Sequence, residues 1–270
     1  TVHMFLKGAS GLYDIQARRL ADTESYSFHL AREEESGRWH LAQIAASRKY
    51  NGGLERAAFI LRRLATTAEL FDAEYAKLTN HHLHYERLYP LLVESGVSPE
   101  QGRRRINIYR FADVDDVRRI LPMSNIRRKN GLRVDIKTSA WIMGRLLKML
   151  AYIHGEGVQN RRITASNVLL DHQQHFAITL DWTSAFLHQD QVPADKAVLD
   201  IEDAASAVMF SLGGEVNGHW PYGETGAYIT LLQQLIKGAY SNAEEALDSF
   251  YELVRAEYGQ SFHEFTTLSL

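Results

Sequence analysis

The spacing of apolar residues changes period twice in the first hundred residues. Apolar and polar positions alternate through residues 13–45, interrupted by polar clusters. Within that stretch YSFHLAR (26–32) and RWHLAQIA (38–45) read as two strands joined by a turn at EEESG. After Asn51-Gly52-Gly53 the spacing becomes helical: LERAAFILRRLATTAELFDAEYAKL (54–78) carries apolar residues three and four apart, with charges between them. HHLHYERLYPLLVES (81–95) and RRINIYRFA (104–112) return to a strand-like pattern. This part predicts a small, mostly antiparallel sheet with one helix set into it.

From Asp113 onward helical spacing dominates. DVDDVRRIL predicts a helix whose acids sit at the favourable end of the dipole. DIKTSAWIMGRLLKMLAYIHGEG (135–157) predicts a long one, with Trp141, Leu146, Leu147, Leu150 and Ile153 on one face and Gly155 or Gly157 at its end. Two short strands flank a turn in NVLLDHQQHFAITLDW. DIEDAASAVMFSL (200–212) predicts an amphipathic or buried helix, and 226–256 supply one or two more. There is no internal repeat and no low-complexity tract.

Composition adds exclusions. A hydrophobic content of 45% with 23% charged residues supports a core, and a net charge of −3 offers neither a nucleic-acid footprint nor a general membrane-binding surface. The absence of cysteine excludes disulfides and thiolate chemistry. No apolar run approaches the roughly 18 residues of a membrane span, and TVHMFLKG lacks the layout of a signal peptide. A cytoplasmic location is the expectation, with Thr1, Val2 and His3 read as an expression remnant.

The order of elements, and several motifs within it, resembles the protein kinase fold. LLKMLAYIHGEGV followed by NRRITASNVLLD is similar to the helix and catalytic loop His-Arg-Asp-x-x-x-x-Asn of that family, with Arg161 at its Arg and Asn167 at its last Asn. AITLDWTSAF resembles the Asp-Phe-Gly segment, with Asp181 as its Asp. DIEDAASAVMFSLGG resembles the buried helix beyond it, with Asp200 at its acidic start. RWHLAQIA resembles the strand that carries Val-Ala-Ile-Lys. The likeness spans residues 13 to 212. It implies an α+β, two-lobed protein-kinase-like fold: an N-lobe of antiparallel sheet plus one helix over 1–112, and a mainly helical C-lobe over 113–270. It implies a nucleotide-pocket remnant at Ala42, Gln43, Phe111 and Leu169, a metal-site remnant at Asn167 and Asp181, and structural roles for Arg161, Arg162 and Asp200.

The departures from the family bear on activity. Arg162 stands where the family has its catalytic carboxylate, and a guanidinium neither accepts a proton nor welcomes a metal. Asn160 replaces the family's His, and Gln43 replaces the phosphate-pairing lysine. Ala57 replaces its glutamate partner, which Glu55 would supply only in a shifted register. LADTESYSF (20–28) has no glycine where the family closes a loop over phosphates. Only about twenty residues separate Asp181 from Asp200, with no Ala-Pro-Glu run. The resemblance is therefore to a pseudokinase: a catalytically inactive regulatory module whose partner is another protein, with no cofactor expected and Mg-ATP bound weakly or not at all.

Two alternatives stand beside it. One is an atypical nucleotide-dependent transferase, a small-molecule or noncanonical kinase using Asp181 and Asn167 for metal. The other is a nucleotide sensor without turnover. In the inactive reading Arg162 pairs with Asp181 or another carboxylate. His82 and His84 fall on one side of the predicted strand without a third zinc ligand, and read as exposed histidines. The basic runs at 103–105 and 126–129 read as solvated surface. Ser166 and Ser184 lack a histidine at a supporting spacing.

Overall fold

The computed structural model describes residues 4–171, 173–223 and 226–270; residues 1–3, read above as an expression remnant, lie outside this range. The chain is mixed α+β and divides into two units. The first runs to Arg119 and takes in Asp181–Ser184; the second comprises Ile120–Leu180 and Ala185–Leu270.

The first unit contains β1 (Met4–Gly8), β2 (Gly11–Asp22), β3 (Tyr26–Glu33), β4 (Trp39–Ala45), α1 (Asn51–Thr79), β5 (Leu91–Ser98) and β6 (Arg104–Arg110). The strands form one antiparallel sheet in the order β1-β2-β3-β4-β6-β5. Register shifts between Ile15 and Ala21 mark irregularities of the bulge type in the β2–β3 ladder, which increase local twist. The sheet curls until its two edges meet: Ser10, just after β1, donates from its backbone N and Oγ to Glu94 Oε2 of β5 at 2.8 and 2.7 Å. Strand alternation then sorts the side chains onto two faces. Leu6, Tyr13, Ile15, Ala42, Ile106 and Ile108 fill the inside of the curl. α1 covers the other face, burying Leu54, Ala57, Leu61 and Leu64 at helical spacing.

Two predicted elements of this unit differ from the structure. The stretch 81–95 is not one strand. α1 ends at Asn80 in the left-handed conformation (φ 60°), Asp72 captures the Leu83 amide at 2.7 Å, and the strand begins only after Pro90. DVDDVRRIL forms a single 3-10 turn, Val117–Arg119. Its acids are engaged elsewhere, Asp116 by the Arg118 amide and guanidinium and Asp113 by Arg87, and Leu121 precedes a proline, which disfavours helix. β1 precedes the alternating stretch, which begins at residue 13.

The second unit contains β7 (Leu121–Pro122), α2 (Met123–Arg128), β8 (Leu132–Val134), α3 (Ile136–Gly155), β9 (Val158–Gln159), β10 (Val168–Leu170), β11 (Ala177–Thr179), β12 (Phe186–Leu187), α4 (Ala194–Ser211), α5 (Ala227–Ile236), α6 (Ala243–Tyr258) and β13 (Thr267–Ser269). α3 begins where Asp135 caps the Thr138 amide at 2.8 Å, and Gly157 (φ +80°) turns the chain beyond its end. Its buried face packs on α4 and α6, and α4 packs in turn on α5. α4 starts just after Pro193, six residues before the predicted boundary, so Asp200 lies inside the helix rather than at its start. Among the described residues no helix is long and apolar enough to cross a membrane.

Candidate functional site

The polar residues with chemistry gather in two places, one in each unit. In the first unit Gln43 of β4 lies opposite Phe28 of β3 and Asn107 of β6, on the α1 side of the sheet. Asn107 and Tyr109 of β6 lie on that same face, alternating with Ile106 and Ile108 on the other. A polar group this deep must be satisfied or it costs stability, and these satisfy one another in sequence. Arg105 donates to Ser95 Oγ (3.0 Å), Ser95 to Asn107 Oδ1 (2.7 Å), Asn107 to the Tyr109 hydroxyl (3.0 Å) and Tyr109 to Gln43 Oε1 (2.8 Å). Gln43 Nε2 then donates to Asp181 Oδ1 at 3.1 Å. The donors all point one way, and the chain ends on a carboxylate that can only accept.

Asp181 is 0% exposed. Its Oδ2 accepts a 2.5 Å bond from the Tyr26 hydroxyl, and its Oδ1 also accepts from the Thr183 amide at 3.0 Å. Thr183 is itself held, its carbonyl accepting from Arg56 of α1 at 2.9 Å, and Trp182 between them is fully buried. Burial, ahead of the neighbouring Asp181 charge, pushes the Tyr109 phenol far above the ordinary tyrosine value, so it stays a neutral donor.

Several sequence-derived site residues are repositioned here. Ala42 and Gln43 do not share a pocket. They are consecutive on a strand, so Ala42 points into the core inside the curl while Gln43 points to Asp181. Glu55 pairs with Arg105 at 3.0 Å on the surface, so its carboxylate is not the partner of Gln43; Ala57 is fully buried. Phe111 is buried just beyond β6. Tyr26 and Tyr109 were missed, although each can be reached by pattern: Tyr26 lies two residues from the cross-strand partner of Gln43, and Tyr109 two residues from Asn107.

In the second unit the loop after β9 is organised by Asp200. This carboxylate, 0% exposed, accepts from the backbone amides of Asn160 and Arg161 at 2.9 Å each and from His154 Nε2 at 2.8 Å. Arg161 adopts φ 69°, left-handed backbone that a non-glycine residue takes at a cost, and the bonds from its amide and that of Asn160 to Asp200 hold it there. The Asn160 side chain accepts from the Arg162 amide at 2.9 Å, and Asn167 donates from Nδ2 to the Arg162 carbonyl at 2.6 Å. Asn167 also accepts the Leu180 amide on its own carbonyl. Asn167 thus braces the loop from within it, and Leu169 is buried in β10.

The remaining candidates find local partners. His82 bonds Asp72 at 2.7 Å and His84 meets Glu86 at 3.2 Å; neither lies on a strand. Among the described residues no group of three or more histidines or carboxylates could hold a metal ion. Of the basic runs, Arg105 is engaged as above, and Arg127 donates to the Phe210 and Gly214 carbonyls while stacking on the Phe210 ring. Ser166 meets Thr164 at 3.1 Å. No protein-family model matches the sequence, and no curated protein matches it significantly.

Proposed function

We propose that this chain is a kinase-like domain without phosphotransfer activity, working as a protein-binding or allosteric module. The observation that carries the reading is the condition of Asp181. In the family it resembles, this carboxylate would face a metal ion; here both of its oxygens accept hydrogen bonds from protein donors, and it has no exposed surface. A metal would have to displace Tyr26 and Gln43 from a dry site, leaving two buried donors unsatisfied. Asp181 therefore does not fit a metal as it stands. Gln43 supports the same reading, because its amide is used within the network and carries no charge to neutralise phosphate. The loop at 160–167 supports it further, because Arg162 stands where a base would be needed and a guanidinium accepts no proton.

The test is a thermal-shift titration with ATP, with and without Mg²⁺ or Mn²⁺. No metal-dependent shift is expected at submillimolar ATP. A ligand present at a hundred times its dissociation constant adds about 2.7 kcal/mol, which such a measurement reads easily. A clear metal-dependent shift would overturn the proposal in favour of a nucleotide-dependent transferase or sensor.

A further inference from the structure

Beyond α6 the chain turns at Gly259 (φ +73°) and reaches back to the start of α3. None of residues 259–270 is buried, so the run is held largely by polar contacts. β13 pairs with β8, and the Leu270 amide donates to the Gly131 carbonyl at 3.0 Å. The Asp135 amide donates to the Thr266 carbonyl at 3.1 Å, and the Thr266 amide to the Thr138 hydroxyl at 3.0 Å. His263 Nε2 donates to Asp135 Oδ2 at 2.7 Å, while Asp135 Oδ1 caps α3 through the Thr138 amide. A segment with few buried contacts opens at a far lower free energy than the core it lies on. This run can lift while α3 and α6 stay folded.

Against it sits His175, on the turn between β10 and β11. Its ring packs near-perpendicular to Trp141 of α3, with centroids 4.8 Å apart, and to Phe262 and Phe265 of the run, at 5.2 and 6.4 Å. The charges acting on it are His263 and Arg145 of α3, whose guanidinium lies 5.0 Å from the centre of the Trp141 ring. Asp135 is engaged by His263 and the Thr138 amide, and Glu264 is exposed. A proton on His175 therefore arrives among three aromatic rings and two basic side chains. We propose that residues 260–270 form a strap that opens on protonation of His175 while the helices beneath it stay folded. Burial, ahead of the His263 charge, holds the closed-state imidazole below the ordinary histidine value; a hydrogen bond to the His263 backbone opposes this, and Arg145 adds to it. With the closed-state value depressed, the open form takes up the proton first. The contribution of His175 to closure is complete above about 6.5 and is lost as pH falls toward the closed-state value. Charging His263 tightens its bond to Asp135, but that pair is 32% and 20% exposed, where ion pairs are weak, and the new charge also repels His175.

Spin-label distances test this, and the absence of cysteine makes the labelling clean. One nitroxide goes on the strap through Ser269→Cys and the other on α6 through Glu252→Cys, both at exposed positions. A single narrow distance is expected at about pH 7.5, joined by a longer, broader one toward pH 5.5. The open-to-closed ratio should rise by up to about tenfold per pH unit, the limit for one proton. His175→Phe keeps a ring in place and removes the proton, so its strap should stay closed throughout. Asp135→Asn keeps an acceptor for the α3 cap and weakens the hold on His263, so its strap should open at higher pH. Far-UV circular dichroism at each pH reports on the helices. A wild-type distance that does not change, opening of His175→Phe in parallel with wild type, or opening only together with loss of helix would each overturn the proposal.

Discussion

The Tyr26 hydroxyl donates to Asp181 Oδ2 at 2.5 Å, joining residues 155 apart in sequence. Tyr26 is 3% exposed and Asp181 is 0% exposed, so no solvent replaces that bond when it is lost. Tyr26→Phe should cost about 1–3 kcal/mol, the range for leaving a buried charged acceptor short of a donor. Tyr50→Phe is the control, because its hydroxyl meets Glu24 at an exposed site; its effect should stay within about 0.5 kcal/mol. Urea denaturation of the two variants distinguishes them, and equal losses would remove the special standing of the Tyr26 bond.

Restoring a carboxylate in the loop should not restore chemistry. General-base help is usually worth about two to four powers of ten, yet Arg162→Asp changes neither Gln43 nor the glycine-free LADTESYSF. Positioning and electrostatics dominate phosphoryl transfer, and the new carboxylate supplies neither. With radiolabelled ATP and a generic acceptor, no label transfer is expected from wild type or from Arg162→Asp. Transfer by the variant would mean that a working nucleotide site had been there all along.

Asp200 should matter more to stability than any exposed carboxylate. Asp200→Ala leaves the Asn160 and Arg161 amides and His154 Nε2 without their acceptor. Removing one member of such a buried network costs about 3–5 kcal/mol. Chemical denaturation measures it; a loss below that of an ordinary surface substitution would show that the loop after β9 holds itself.

The two glycines at the end of α3 should separate cleanly. At Gly157 the backbone has φ +80°, and a Cβ would come within 2.5 Å of the Asp190 carbonyl oxygen and 2.8 Å of that of His188. Gly155 has open space within 4 Å. Gly157→Ala is expected to destabilise by more than about 1 kcal/mol, whereas Gly155→Ala should be neutral or slightly stabilising. Melting temperatures of the pair give the answer directly.

Stability should fall as the solution is acidified through the histidine range. Burial holds the His29 and His40 imidazoles below the ordinary histidine value. Around His29, Arg19 and Arg104 add to that effect and the Gln16 carbonyl opposes it; around His40, Glu33 opposes it and Arg110 and Arg38 add to it. With the folded-state values depressed, the unfolded chain takes up protons first. Their contribution is complete above the unfolded value of about 6.5 and is lost as pH falls toward the folded values. His40→Phe keeps a ring against Tyr13 and removes one titration, so its midpoint in urea should decline less than that of wild type between about pH 7.5 and 5. Parallel declines would exclude His40 as a contributor.

Much of the secondary structure was determined by the sequence alone. The β3–β4 hairpin, α1 and α3 follow from local spacing, because period two and period 3.6 are properties of neighbouring residues. The elements that failed were decided by competition. At 81–90 Asp72 holds the chain out of a strand, and at 113–121 local side-chain bonds and Pro122 stop a helix. The candidate site was legible as residue types at Gln43, Asn167, Asp181 and Asp200, but not as partners. Which face Ala42 takes depends on how the sheet curls, and what Asp181 bonds depends on where the chain lies 138 residues after Gln43. A one-dimensional pattern carries the chemistry of each group. Only tertiary structure decides which buried donor reaches which acceptor, because that choice is made by register and packing between segments distant in the chain.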